Sequence, residues 1–140
     1  MKNTILILIS LLFLTGCMEE KEVTTLQDRN GIKYEVNSVE SFTGKYVKYY
    51  DNGQKRFEKH YKGGKLGGLW THWYENGQKN YEENYKDEKL NGLVITWYRN
   101  GQKWGERNYK DGKLDGLWTH WDENGQKRSV DNYKDGEFVK

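Results

Sequence analysis

Apolar and polar positions alternate with a period of two residues along most of the chain, in short segments separated by glycine-containing turns. In residues 69–74, Leu69, Thr71 and Trp73 alternate with the three residues between and after them. This alternation is typical of a half-buried β-strand, because successive side chains of a strand point to opposite faces of the sheet. No segment of residues 44–139 shows the 3.6-residue period of an amphipathic helix. The pattern therefore predicts strands.

The strands belong to a unit that repeats every 24 residues. An Asn-Gly dipeptide marks each copy, at Asn52-Gly53, Asn76-Gly77, Asn100-Gly101 and Asn124-Gly125. Asn-Gly between apolar runs predicts a hairpin with a type I′ turn, in which both central residues have positive φ. A second turn closes each copy, as at Lys110-Asp111-Gly112-Lys113, and Glu88 in place of its glycine predicts the weakest turn of the array.

These turns define an all-β fold, an antiparallel meander of repeated hairpins in one elongated, right-twisted sheet. The predicted copies span residues 44–67, 68–91, 92–115 and 116–139. Residues 30–43 read as a degenerate leading half-repeat that begins at Asn30-Gly31. Unpaired edges of such a sheet are expected to allow self-association.

The predicted sheet has two different faces. The first, called the ladder face, has an aromatic row beside a β-branched row: Tyr49, Trp73, Trp97 and Trp121 beside Val47, Thr71, Ile95 and Thr119. We assign it to packing, since such cross-strand rows stabilise sheets. The second, called the variable face, differs more between copies, and its candidate binding residues are Tyr46, Trp70, His72, Tyr74, Tyr98, Trp118 and His120.

The first seventeen residues have the pattern of a signal peptide. Lys2 precedes an apolar run of ten residues from Ile5 to Leu14, which is shorter than the ~20 residues that span a bilayer. The run ends in Leu14-Thr15-Gly16-Cys17, which resembles the lipobox of bacterial lipoproteins. The resemblance implies a signal helix and cleavage of residues 1–16, with a lipid on Cys17. Residues 17–29 are charged and are predicted to form a flexible tether.

Composition excludes several classes of protein. The net charge of +2 falls to +1 without residues 1–16, which contain Lys2 and no acid. A nearly neutral, mixed surface argues against a nucleic-acid-binding protein. The aromatic content of 15% argues against disorder, because disordered chains contain few aromatic residues. The single cysteine excludes a zinc site built from several thiolates.

Nothing in the sequence indicates catalysis. His72 and His120 occupy one register two copies apart, about 19 Å at ~4.8 Å per strand, so they do not share a metal. The serines lack a nucleophile motif, and no catalytic residues, metal or cofactor are predicted.

Segments such as residues 81–92 and 105–116 resemble the MORN motif, with Tyr85, Lys89 and Gly92 at motif positions. The 24-residue spacing is most similar to the bacterial MORN variant of the YwqK-type toxin–antitoxin antitoxin group. Glu83 and Arg107 replace the first glycine of the motif. The resemblance implies protein–protein or lipid contact and self-association, without catalysis.

The function expected from these observations is a lipid-anchored repeat scaffold of the cell envelope, in the outer membrane if the host has two membranes. Its partner would be a protein or an envelope component. Two alternatives stay open: an antitoxin that neutralises a toxin protein by direct binding, and a binder of cell-wall glycan.

Overall fold

The computed structural model of the chain describes residues 20–140, and every regular element in them is a β-strand. The strands are β1 (Glu22–Val23), β2 (Gln27–Arg29), β3 (Ile32–Tyr34), β4 (Gly44–Tyr49), β5 (Lys55–Lys62), β6 (Lys65–Trp73), β7 (Lys79–Lys86), β8 (Lys89–Leu90), β9 (Gly92–Trp97), β10 (Lys103–Lys110), β11 (Lys113–Trp121), β12 (Lys127–Lys134) and β13 (Glu137–Val139). The predicted all-β meander is confirmed. The predicted signal helix and Cys17 precede residue 20 and lie outside the described residues.

One eleven-stranded sheet contains all four copies, in the order β1-β4-β5-β6-β7-β9-β10-β11-β12-β13, with β8 beside β7. Each copy supplies an outgoing strand and a return strand, as in β6 and β7, and all pairs from β4 onward are antiparallel. Because opposite residues of antiparallel strands share a face, the pairing of Trp70 with Glu83 and of Thr71 with Glu82 places return-strand residues on known faces.

The type I′ prediction for the four Asn-Gly turns is wrong. In the first turn Gly53 N–H donates to Tyr50 O at 2.9 Å and Tyr50 N–H donates to Gln54 O at 2.9 Å, and only Gly53 has positive φ, at 83°. This is the three-residue hairpin loop, a type I turn followed by a glycine bulge. The Asn52 side chain stabilises this loop, because its Oδ1 accepts a hydrogen bond from Gln54 N–H at 3.0 Å.

Type I′ geometry occurs instead at the opposite rim. Asp111 and Gly112 both have positive φ, at 50° and 86°. In the second copy Asp87 and Glu88 have φ of 49° and 63°. Glu88 therefore holds a left-handed conformation that glycine adopts more easily, and its turn stays the predicted weak point of the array.

The leading segment differs from both predictions made for it. Residues 20–29 were expected to be part of a flexible tether, but they contain β1, which pairs parallel with β4, and β2. The half-repeat expected over residues 30–43 does not extend the main sheet, because β3 pairs with β2 in a separate two-stranded sheet. This hairpin is tied to the first copy by Lys33 N–H, which donates to Gly64 O at 2.9 Å.

Buried side chains lie on both faces of the sheet. Val47 and Thr71 are buried on the ladder face, whereas Tyr61 and Val94 are buried on the variable face. Phe42 packs against Tyr61 with ring centroids 6.3 Å apart. No helix among residues 20–140 is long and apolar enough to cross a membrane.

Candidate binding surface

On the ladder face, indole rings alternate with lysine ammonium groups. The return strands place lysines between the tryptophans, with Lys55 Nζ 5.8 Å from the Trp73 ring, Lys79 Nζ 5.5 Å from Trp97 and Lys103 Nζ 5.8 Å from Trp121. The tryptophans do not form ring pairs with each other within the described residues. Cation–π contacts thus replace the aromatic ladder that the sequence predicts.

Each of these lysines also has a carboxylate three residues further along its strand. Lys55 pairs with Glu58 at 2.6 Å, and equivalent pairs join Lys79 to Glu82 and Lys103 to Glu106. Burial acts to raise the pKa of Glu58, but the ammonium groups of Lys55 and Lys45 bring it below its ordinary value. The lysines of the first three copies are therefore neutralised within their own copy, whereas Lys127 of the fourth copy has Val130 at the corresponding position.

The variable face carries the aromatic clusters. Trp70 lies edge-on to Tyr81, with ring centroids 5.5 Å apart, and 6.0 Å from Tyr85. His72 stacks on Tyr81 at 5.0 Å with an interplanar angle of 5°. Trp70 and His72, predicted for binding, are thus half-buried in a cluster of their own copy.

A second cluster lies in the fourth copy. Trp118 lies 4.5 Å from His120 and 5.7 Å from Tyr133 between ring centroids, and Trp104 of the third copy lies 5.1 Å from His120. Tyr46, in the first copy, contacts Phe57 at 5.5 Å. The structure therefore distributes five of the seven predicted residues over three clusters along one face.

Tyr74 and Tyr98 lie at the rim of the Asn-Gly turns, where they join one copy to the next. The Tyr74 hydroxyl donates to Trp97 O at 2.9 Å, and the Tyr98 hydroxyl donates to Trp121 O at 3.1 Å. In the fourth copy Asp122 takes this place, and its carboxylate accepts from the N–H groups of Asn124 and Gln126 at 3.0 and 2.9 Å. The hydroxyl groups of these two tyrosines are therefore occupied by the fold.

His60 lies between two carboxylates, 3.2 Å from Glu20 and 3.3 Å from Glu58, whereas His72 and His120 have no carboxylate within ion-pair distance among residues 20–140. His72 Nδ1 lies 3.3 Å from Asn80 Nδ2, and His120 Nδ1 lies 3.3 Å from the Ser129 hydroxyl. Burial, and then the charges of Arg56 and Lys59, lower the pKa of His72. No group of three or more histidine, cysteine or acidic residues within the described range is arranged to hold a metal ion.

Sequence reasoning missed the residues that the return strands add to the variable face. These are Phe57, Lys59, Tyr81, Tyr85, Arg107 and Tyr133. The register that places Lys59 opposite Trp70 skips one residue before Tyr61, so a strict two-residue alternation does not follow it. The repeated Asn-Gly spacing could have supplied the opposite pairs, since it fixes which positions face each other across a hairpin.

Tandem hairpins in one sheet, with equivalent side chains in rows, define the class of the protein as an all-β repeat protein. The pattern of the MORN repeat variant family matches residues 42–62, 66–87, 90–111 and 114–135, each spanning an outgoing and a return strand. Since these segments cover more than half of the chain, the protein belongs to the MORN repeat variant family. Comparisons with curated proteins and with solved structures found no match. Repeats of this family are typical of scaffolds and binding modules and are generally not catalytic.

Proposed function

We propose that this protein is a non-catalytic scaffold whose variable face binds a protein partner at the cell envelope. The observation that carries the proposal is a one-layer sheet with aromatic clusters on an open side. Among residues 20–140 the only second sheet is the β2–β3 hairpin, which lies at the first copy. Domains ordinarily cover such a side with a second layer, and extended aromatic surface without one is typical of an interaction site.

Site-specific photocrosslinking tests which face is used. A photoreactive residue replaces Trp104 on the variable face or, as the matched control, Leu117 on the ladder face; these side chains are 37% and 53% exposed. We expect one discrete protein adduct from position 104 in cells and none from position 117. Adducts from position 117 alone would move the site to the ladder face, and no adduct from either would contradict the proposal.

The proposed anchor is a lipid on Cys17, supported by the lipobox-like Leu14-Thr15-Gly16-Cys17. Since Lys45 N–H donates to Lys21 O at 2.7 Å, only about four residues separate Cys17 from the sheet, a reach of ~14 Å. The first copy would then lie close to the bilayer. In a host with two membranes, we assign the protein to the outer membrane. Cys17→Ala is expected to move the protein from the membrane fraction to the soluble fraction; a variant that stays membrane-bound contradicts the anchor.

An antitoxin would be a special case of this scaffold, with a toxin as the partner. The similarity of the 24-residue spacing to the antitoxin group supports it, and an exported toxin would meet a protein held by Cys17. The test is co-expression with a toxin encoded beside this gene. Protection that is lost on Cys17→Ala favours the role, and toxicity unchanged by the wild-type chain removes it.

A cell-wall glycan is the other candidate ligand, because exposed indoles such as Trp104 stack on sugar rings. Co-sedimentation of the protein with purified peptidoglycan measures this directly. Saturable binding that falls on Trp104→Ala supports the glycan, whereas unchanged sedimentation of the two forms removes it.

A further inference from the structure

The variable face has two sites, called stations below, at which a cation lies directly opposite an indole of the neighbouring strand. Lys59 of β5 lies opposite Trp70 of β6, with its Nζ 3.8 Å from the ring centroid. Arg107 of β10 lies opposite Trp118 of β11, with its Cζ 5.5 Å from the ring. Since β5 and β10 are four strands apart in the sheet, the stations are about 19 Å apart at ~4.8 Å per strand.

The cations of both stations lack the partners that the ladder-face lysines have. Within residues 20–140 neither Lys59 nor Arg107 has a carboxylate within ion-pair distance. Burial, followed by the charge of Lys33, lowers the pKa of Lys59, although the charge of Glu83 acts to raise it. Arg107 Nε is buried without a hydrogen-bond acceptor. A half-buried cation without a direct ion pair is costly, and a carboxylate from outside would offset that cost.

The indoles add further donors to each station. Nε1 of Trp70 and Nε1 of Trp118 are buried without a hydrogen-bond partner in the part of the chain that the structure describes. The nearest acid of the row, Glu83, is occupied differently, because it accepts from the Tyr85 hydroxyl at 2.9 Å. The indole donors have no exposed surface, so a ligand that brings acceptors would meet the cation of each station first.

We propose that the variable face binds an extended acidic segment of its protein partner, with one carboxylate at Lys59 and a second at Arg107. This inference rests on the proposed function. A span of ~19 Å corresponds to about six residues of extended chain at ~3.3 Å each. Because six is even, both acidic side chains point to the same side of the segment. The expected motif therefore has two acidic residues separated by five others.

The row between the stations favours separated charges over a continuous polyanion. Glu83 lies on β7, midway between β5 and β10 in strand order, and it faces the same side as Lys59 and Arg107. An unbroken run of negative charge, as in a nucleic acid, would pass over this carboxylate and be repelled. Two carboxylates that flank Glu83 avoid that contact.

The test uses the full-length protein in detergent micelles and labelled peptides in a Gly/Ser/Thr background. One peptide has two glutamates separated by five residues, a second has them separated by one, and a third has glutamines in both places. Fluorescence anisotropy measures the affinity of each. We expect the first to bind about tenfold more tightly than the second, as one further charge-assisted contact implies, and the third to bind least.

Variants then test the two stations. Lys59→Gln and Arg107→Gln are each expected to weaken the first peptide about tenfold, to the level of the second peptide. Lys62→Gln, which removes an equal charge at an exposed position beyond the row, serves as the control and is expected to change nothing. Urea unfolding of each variant confirms that the sheet is intact.

Equal affinity for the first two peptides, or an equal loss in Lys62→Gln, would mean unspecific charge attraction and overturn the inference. Photocrosslinking at position 104 in the Lys59→Gln/Arg107→Gln double variant separates the two proposals. A partner adduct that persists at wild-type yield leaves the scaffold function intact and ends this inference. An adduct that disappears together with peptide binding supports both.

Discussion

The ladder face and the variable face are built by the same strands, yet they manage charge in different ways. On the ladder face the first lysine of the return strand in each of the first three copies, such as Lys79, has its carboxylate three residues away in the same copy. On the variable face the charged row changes sign from copy to copy, through Lys59, Glu83, Arg107 and Asp131, and its two cations have no ion-pair partner within the described residues. A duplicated unit can copy an interaction that is complete within the unit. A residue whose partner comes from elsewhere has no such constraint, and the contrast therefore points to the variable face as the side that meets other molecules.

The largest expected effect tests whether the variable face also supports the fold. Trp70→Ala removes the contacts with Tyr81 and Tyr85, and we expect the free energy of unfolding to fall by about 3 kcal/mol. Urea denaturation followed by far-UV circular dichroism measures the loss, and the spectrum without urea is expected to stay that of a β-sheet.

The matched control for this change is Trp104→Ala, because Trp104 is 37% exposed and lies at a bulge of β10. We expect a loss of about 1 kcal/mol or less. If both variants lose equally little, the variable face contributes no packing and the aromatic clusters serve binding alone.

The second prediction concerns the rim of the Asn-Gly turns, where Tyr74 joins one copy to the next. Tyr74→Phe removes the hydrogen bond to Trp97 O and leaves that carbonyl without this donor, so the free energy of unfolding is expected to fall by about 1 kcal/mol. Urea titration again gives the value. Tyr109→Phe is the control, since the Tyr109 hydroxyl has no hydrogen bond to another of residues 20–140. Equal losses in the two variants would contradict a role for Tyr74 in joining copies.

The third prediction tests the lysine–glutamate ion pairs of the ladder face. Lys79→Met removes the pair with Glu82 and the contact with the Trp97 ring. Because Lys79 is largely exposed, we expect a loss of only about 0.5 kcal/mol in dilute buffer, and a smaller one at ~1 M salt. The exposed Lys86, changed to Met, serves as the control. A loss of stability that is independent of salt would mean that Lys79 stabilises the ladder face by packing of its aliphatic stem and not by its charge.

The sequence predicts the strands and their faces well, because both depend on local alternation and fixed spacing. It fails at the Asn-Gly turns, where Asn52 uses its side chain to accept from Gln54 N–H and so favours a type I turn over the type I′ form. The same dipeptide at Asn30-Gly31, with φ of 54° and 83°, does show positive φ at both residues. The dipeptide alone therefore does not decide the turn: the loop between Arg29 and Ile32 has two residues, whereas the loop between Tyr50 and Gln54 has three.

The candidate site was only half visible in the sequence. Trp70 and Trp118 were found because their strands alternate strictly, whereas Lys59 and Arg107 lie on return strands whose register shifts near them. The third copy shows a further effect. Gly105, which lies opposite Thr96, occupies the position that Tyr81 has in the second copy, opposite His72. The neighbouring Trp104 supplies the ring that contacts His120 instead. Such an exchange between adjacent positions depends on tertiary contact, and no period in the sequence reveals it.

The smallest expected effect is a pH dependence near neutral pH that comes from His72 on the variable face. Burial and the charges of Arg56 and Lys59 hold the pKa of His72 below its ordinary value of 6.5. The folded state therefore favours the neutral ring, and as the pH falls through about 6.5 the unfolded chain takes up the proton first. The stability that the neutral ring contributes is present above this pH and is lost as the pH falls towards the lower folded-state pKa. Melting temperatures measured between about pH 8 and pH 5 are expected to fall more for the wild type than for His72→Gln. Arg56→Gln, which removes a neighbouring positive charge, is expected to reduce the difference, and identical profiles for the wild type and His72→Gln would show that the ring titrates alike in the folded and unfolded chain.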